Sequence, residues 1–305
     1  MLGQFHLHLV DILVVDDTSP RLKGLEPQLD KALSFVRSAK GHAKLCTTFD
    51  PFKFDQPDFS ERVIKQINEN FADGAIALKI WKNIGMEIKK PDGTYLMPDD
   101  PVFEPIYNDI AGHHKTLIAH IAEPDSCRQA PDPQLPYSGY YKMNPVWYMY
   151  NQPDHPSKAT ILAARDHMLA ENTELRVVGA HPGSMESDVD EIAKHFDRYP
   201  IFAVDTAARV RSLQLQPADK VRAFLIRYQN RVVYGTDLEF FGPQPSPQEA
   251  VKNWESFYTR DWKYFADGQT TDRAGHKIQG LHLPRSVLEK LYHDNAQRWF
   301  PGIQY

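Results

Sequence analysis

Short apolar runs that alternate with amphipathic helical stretches, each run ending in a polar residue, constrain this chain more than any other feature. Val10–Val15 closes on Asp16-Asp17, Lys44–Thr48 runs toward Asp50, and Ala75–Trp81 carries Lys79 near its end. Thr116–Pro124 (TLIAHIAEP) holds His120 and Glu123, Leu175–Gly179 leads to His181, Ile201–Val204 to Asp205, and Val232–Gly235 to Asp237. Short apolar runs bounded by turn residues read as strands buried on both faces. Between them, apolar residues at helical spacing predict helices over Leu25–Ala39, Phe59–Phe71, Pro101–Gly112, Ser157–Glu171, Asp188–Phe196 and Ala218–Tyr228. Further helices are expected around Pro247–Phe265 and Pro284–Ala296, with an irregular stretch between them. Strands alternating with helices imply a parallel sheet.

Placing polar residues at the ends of buried strands costs desolvation that apolar residues would avoid. A series of them, Asp50, Lys79, His120, His181, Asp205 and Asp237, points to one shared site. In a (β/α)8 TIM barrel the C-terminal strand ends form the active face. A doubly wound open sheet gathers ligands at a switch point instead, so the series favours a closed ring. The sequence holds neither a GxGxxG nor a Walker pattern, and no GxSxG elbow.

Composition narrows the function classes. With 42% hydrophobic and 25% charged residues the chain is expected to be one globular domain over 1–305. The net charge of -5 argues against nucleic-acid binding. No run of about 18 apolar residues predicts a membrane span. Cys46 and Cys127 are expected as free thiols in a reducing, cytoplasmic setting. Residues 124–156 break the rhythm with Pro and aromatic residues, Tyr137, Tyr140, Tyr141, Trp147, Tyr148 and Tyr150 among them. Such an insertion reads as a lid or binding loop, or as a segment packed on itself.

His120, His181 and Asp237 carry the donor chemistry of a divalent-metal site, zinc first and manganese or another ion as alternatives. Glu123 and Asp205 are candidates to orient the histidines, with a surface ion pair as the other reading of Glu123. Arg209 is a candidate clamp for a substrate carboxylate, or a helix-face ion pair. Trp81, Lys82 and Asn83 are expected on the loop after their strand, facing the same mouth, and Trp81, Tyr148 and Arg209 are the candidate substrate contacts. His113 and His114 read as structural at a helix end, and His42, His155, His167, His195, His276, His282 and His293, without strand-end context, as surface or packing residues.

The motifs GAIALKIWKNIGM (74–86), TLIAHIAEP (116–124), RVVGAHPGSMESDVDEIA (176–193), RYPIFAVDTAARV (198–210), RVVYGTDLEF (231–240) and LEKLYHDNAQRWFPG (288–302) together resemble the amidohydrolase-related family, the amidohydrolase 2 branch of metal-dependent hydrolases with TIM-barrel folds. The resemblance covers 73–302. It implies that His120 is the strand-5 metal ligand, His181 the strand-6 histidine, and Asp237 the strand-8 aspartate that handles the proton of the attacking water. Lys79 falls where some relatives carry a carboxylated bridging lysine; substrate orientation or a structural ion pair are its other readings. The family also uses a His-x-His at the end of strand 1, and two readings of His6-Leu7-His8 are open. Counting back from Asp237 makes Val10–Asp16 strand 2, which leaves no strand for His6 and His8 to end, and Gln4 stands where the family has an acidic residue. A βα unit spans roughly 31 residues, so one reading is a chain that starts one unit late, with any export signal lost with it. The other is a degenerate barrel in which His6 and His8 are ligands.

The expected activity is metal-dependent hydrolysis of a C–O or C–N bond in a small organic substrate, with Asp237 as base and His181 stabilising the oxyanion. A non-oxidative decarboxylase on the same site is the alternative. A non-catalytic barrel that binds a ligand or partner is the alternative from another class. A homo-oligomer is open.

Overall fold

The computed structural model describes residues 3, 6–238, 246–273 and 275–303, with Pro247 and Arg273 described in backbone only. Gln4 and the Glu239-Phe240 end of the strand-8 motif lie outside the described residues. Seven parallel strands form one sheet in chain order: β1 (Leu9–Ile12), β2 (Ala43–Thr47), β3 (Ala75–Ile80), β4 (Thr116–Ala119), β5 (Arg176–Gly179), β6 (Phe202–Asp205) and β7 (Val232–Val233). The sheet curls into a half-barrel, with β1 and β7 at its two ends and, among the described residues, not paired with each other. Helices follow the strands as the periodicity predicts, from Glu26–Ser38 and Phe59–Ala72 to Lys158–Glu171, Val189–Arg198 and Ala218–Arg227.

Strands β3 and β4 are buried at every position, which is why they read as continuous apolar runs. Side chains alternate between two cores. Leu78, Leu117, Val177, Phe202 and Val204 pack outward against the helices. Ala77, Ile118, Val178, Ala203 and Val233 line the inside of the curl with Cys46. Trp299 and Phe300 close the inside at the N-terminal ends of the strands. The Trp299 indole donates to Asn230 O at 2.7 Å, and Thr116 Oγ1 donates to Trp299 O.

Three expectations shift. The first strand ends at Ile12 rather than Val15, and its residues are only half-buried. Strand β7 is two residues long, because the Tyr234 N–H turns away to donate to Leu291 O. The stretch expected to be irregular before Pro284 contains an antiparallel hairpin, β8 (Thr270–Arg273) with β9 (His276–Gln279). Its mostly exposed, polar strands carry little hydrophobic alternation to reveal them. No helix among the described residues is long and apolar enough to cross a membrane.

Candidate active site

Register sets the level of the site. Ile80, Ala119, Gly179 and Val204 lie side by side across β3 to β6. The residues that follow, Trp81, His120, Ala180 and Asp205, therefore leave the sheet together at its C-terminal edge. Alternation aims Lys79, His120 and Asp205 into the curl.

His181 is delivered by a tight turn. It sits in the left-handed region at φ 57°, as does Asp237 at φ 55°. Such positions cost about 1–3 kcal/mol in a non-glycine residue and concentrate at functional sites. Gly179 permits the turn: a Cβ there would lie 2.8 Å from both Gly183 Cα and the Phe202 ring. Asp205 braces it, accepting from the backbone N–H of His181 at 2.9 Å and of Ala207 at 3.0 Å. Burial, partly offset by those two bonds, raises the Asp205 carboxyl to about 6. Asp205 thus positions the histidine's backbone rather than its ring. The ring is oriented by Ala207 O, which lies 2.8 Å from Nδ1.

His120 and His181 meet edge to face, ring centroids 4.2 Å apart. Burial, each other's presence and the nearby cations Lys79, Lys82 and Arg209 hold His120 well below the usual imidazole range; burial and Arg209 do the same for His181. Both rings are neutral at pH 7. Since Nδ1 of His181 must donate to Ala207 O, its Nε2 bears a lone pair, and that atom faces Asp237 Oδ2 at 4.0 Å. Burial pulls the Asp237 carboxyl up, but His181 when it carries a proton, together with the standing cations Lys79 and Arg209, outweighs it and holds the group below the usual carboxylate range. Its side chain is still 37% open to solvent, which screens those charges. His120 Nε2 is buried without any partner.

An electron-rich centre of two imidazole lone pairs and a carboxylate suits a divalent cation in donor chemistry. The orphaned Nε2 of His120 is what such an ion would satisfy. The donors are not closed around one point, however: among the described residues no group of three His, Cys, Asp or Glu side chains is arranged to hold a metal ion.

Other expected residues divide. Arg209 is buried at the centre's edge, its guanidinium 4.4 Å over the Tyr137 ring and its Nε without a partner. Trp81 packs edge-on to His120 at 6.3 Å. Lys79 is buried, and its charge acts on His120, His181 and Asp237. Tyr148 is not brought in: its hydroxyl donates to Gln129 O at 2.7 Å and its ring stacks on Tyr141 and Tyr150. His6 and His8 are not brought in either. They precede β1, and His8 lies against His42, 4.7 Å between rings, at the N-terminal edge of the sheet and the opposite end from His120. Glu123 is neither a surface residue nor a histidine partner; it is buried and paired with Lys82. Asn83 donates to Val15 O at 2.9 Å and ties the β3 loop to the β1 end. Sequence reasoning assigned no role to Lys82 and did not single out Glu186, a buried acid whose Oε2 is unpartnered. Neither sits at a strand end, so alternation gave no signal for them.

The structure is a parallel half-barrel with two histidines and an aspartate at its C-terminal rim. The chain belongs to the amidohydrolase family, in its amidohydrolase 2 branch: the family model described as amidohydrolase matches residues 55–302. No curated protein matches the chain. Among solved structures, an amidohydrolase II is 14% identical with TM-score 0.55, the match covering 98% of this chain and 86% of that one. A 2,6-dihydroxybenzoate decarboxylase complexed with 2,6-dihydroxybenzoate is 14% identical with TM-score 0.52, covering 90% and 76%. A dihydroxybenzoic acid decarboxylase from Polaromonas sp. JS666, with bound manganese and the inhibitor 2-nitroresorcinol, is 12% identical with TM-score 0.53, covering 96% and 79%. At these identities the likeness is one of fold.

Proposed function

We propose that the chain is a metal-dependent hydrolase that breaks a C–O or C–N bond of a small organic substrate. The observation that supports this reading is that His120 and His181 meet edge to face, with His120 Nε2 unpartnered and Asp237 Oδ2 4.0 Å from His181 Nε2. A base-rich, acid-poor centre is built to take a proton from water rather than to give one. Asp237, ionised and partly open to solvent, is the base: it takes the proton of the attacking water and hands it to the leaving group, while the single lone pair of His181, on Nε2, is the one that would go to a metal. The oxyanion role expected for His181 requires it to be protonated first, so in its resting neutral form it acts as an acceptor. His120, His181 and Asp237 are the residues that would hold a divalent metal, zinc first and manganese second, and such an ion supplies Lewis acidity. Lys79 and Trp81 orient the substrate.

Arg209 favours a second reading. A buried guanidinium with an unsatisfied Nε is a receptor for a substrate carboxylate. A carboxylate held there supports non-oxidative decarboxylation on the same residues, and two of the structural neighbours are named as decarboxylases.

Metal analysis of the chain purified without chelator tests both readings. About one ion per chain is expected; fewer than about 0.1 after supplementation with zinc or manganese removes them. A substrate panel of esters, amides and carboxylated phenols then separates hydrolysis from CO2 release.

A further inference from the structure

Beside the histidine centre lies a second buried cluster that, Trp81 apart, the proposed reaction does not use. Lys82, on the loop after β3, is 1% exposed. Its ammonium pairs with Glu123, on the loop after β4, and donates to Tyr140 OH at 2.7 Å. It also lies over three rings, 4.2 Å from the centroid of Trp147 and 5.0 Å from those of Trp81 and Tyr140. The second oxygen of Glu123 accepts from Tyr141 OH at 3.0 Å. Tyr140 and Tyr141 are neighbours on the short helix Ser138–Met143, and Trp147 follows in the same insertion. Both members of the ion pair are thus tied to the insertion, one tyrosine each.

We infer that Lys82 is a positioning residue, whose caged ammonium and pairing with Glu123 fix the aromatic insertion 124–156 as a standing wall over His120. Desolvating an ammonium and a carboxylate is costly, and removing one partner leaves the other buried and unpaired. Here the pair's remaining contacts, the hydrogen bonds to Tyr140 and Tyr141 and the Trp147 ring over the ammonium, are made only when the insertion is seated. The insertion has an exposed tip at 129–134, and at its base these charge contacts act beside the apolar packing of Cys127, Tyr141, Trp147 and Met149. Trp81 transmits the arrangement to the site: it packs on Trp147 at 5.1 Å and edge-on to His120 at 6.3 Å. Unseating the insertion therefore frees Trp81 and opens the face of His120 to water.

The inference rests on the reading of His120 as part of the reacting centre, but its test needs neither metal nor turnover. Hydrogen exchange is measured on the full chain for wild type, Lys82→Met, Lys82→Arg and Glu123→Gln, together with acrylamide quenching of tryptophan fluorescence. Exchange across 137–150 is expected to rise about tenfold in Lys82→Met with β3 to β5 unchanged. Quenching rises with it, and Lys82→Arg, which keeps the charge and the cation–π contacts, restores much of the protection. Unchanged exchange in 137–150 overturns the inference, and so does an equal rise in the insertion and in β3 to β5. Should Lys82→Met fail to fold, Glu123→Gln carries the same test, with a smaller rise of about threefold expected and no rise overturning it. Absence of bound metal would remove the hydrolase reading and leave these outcomes readable.

Discussion

The centre of the sheet and its β1 end are made of the same kind of segment, a short apolar run closing on polar residues, yet they behave differently. Strands β3 and β4 are buried at every position, and β5 and β6 at three of four. Strand β1 has no buried residue, and Ile12 is 39% exposed. At the centre a polar strand end has no water to turn to, so it meets other polar ends: His120 meets His181, and Asp205 braces the His181 turn. At the β1 end Asp16 is buried as well but is satisfied locally, accepting from its own neighbour Thr18, N–H at 2.8 Å and Oγ1 at 2.6 Å. A polar residue after a strand thus signals a site only where both faces of that strand are covered.

The sharpest way to break this comparison is metal binding. His120→Ala is expected to weaken zinc binding by about 100-fold or more, because it removes a buried neutral imidazole. The double variant His6→Ala/His8→Ala should leave zinc affinity unchanged by calorimetric titration, and a comparable loss there would return the strand-1 histidines to the ligand set. Packing comes next. Leu78→Ala in β3, fully buried, should cost about 2–5 kcal/mol in urea unfolding. Ile12→Ala in β1 should cost less than about 1 kcal/mol, because much of that side chain is already in water.

Arg209→Lys tests the clamp between them. A lysine keeps the charge but loses the planar fork, so affinity for a carboxylate-bearing ligand should fall about 10- to 100-fold, while a neutral ligand of similar shape is unaffected. Equal losses for both ligands would make Arg209 a packing residue. The smallest effect is expected at the β1 end of the mouth. Burial, with Asp16 and Asp17 nearby, raises the Glu87 carboxyl from 4.5 to about 7. A carboxyl that holds its proton more tightly when folded adds nothing below the unfolded value and costs stability as pH rises through that window. Glu87→Gln should therefore raise the melting temperature at pH 8 by a few degrees and leave it unchanged at pH 4. A gain of the same size at both pH values would mean the effect is packing and not charge.

Much of the fold was legible because strand burial and helix amphipathicity are local properties. The runs at Ala75, Thr116, Leu175 and Ile201 became β3 to β6, and the Ser157 cap begins its helix, its Oγ accepting from Thr160 N–H at 3.0 Å. The hairpin at β8 and β9 escaped because exposed polar strands leave no hydrophobic pattern. His120, His181, Asp205, Asp237 and Arg209 could each be named from the sequence. Their roles were less legible: Asp205 serves a backbone N–H, and Tyr137 rather than Tyr148 faces Arg209.

By itself the sequence determined that strands alternate with helices and that polar groups leave the strands at one level, since both follow from periodicity within a few residues. Only the tertiary structure decided who meets whom. Lys82 finds Glu123 across 41 residues, and His8 lands beside His42 at the far end of the sheet from His120. Those pairings depend on how the sheet curls and where each loop crosses it, and long-range contacts of that kind leave no trace in local spacing.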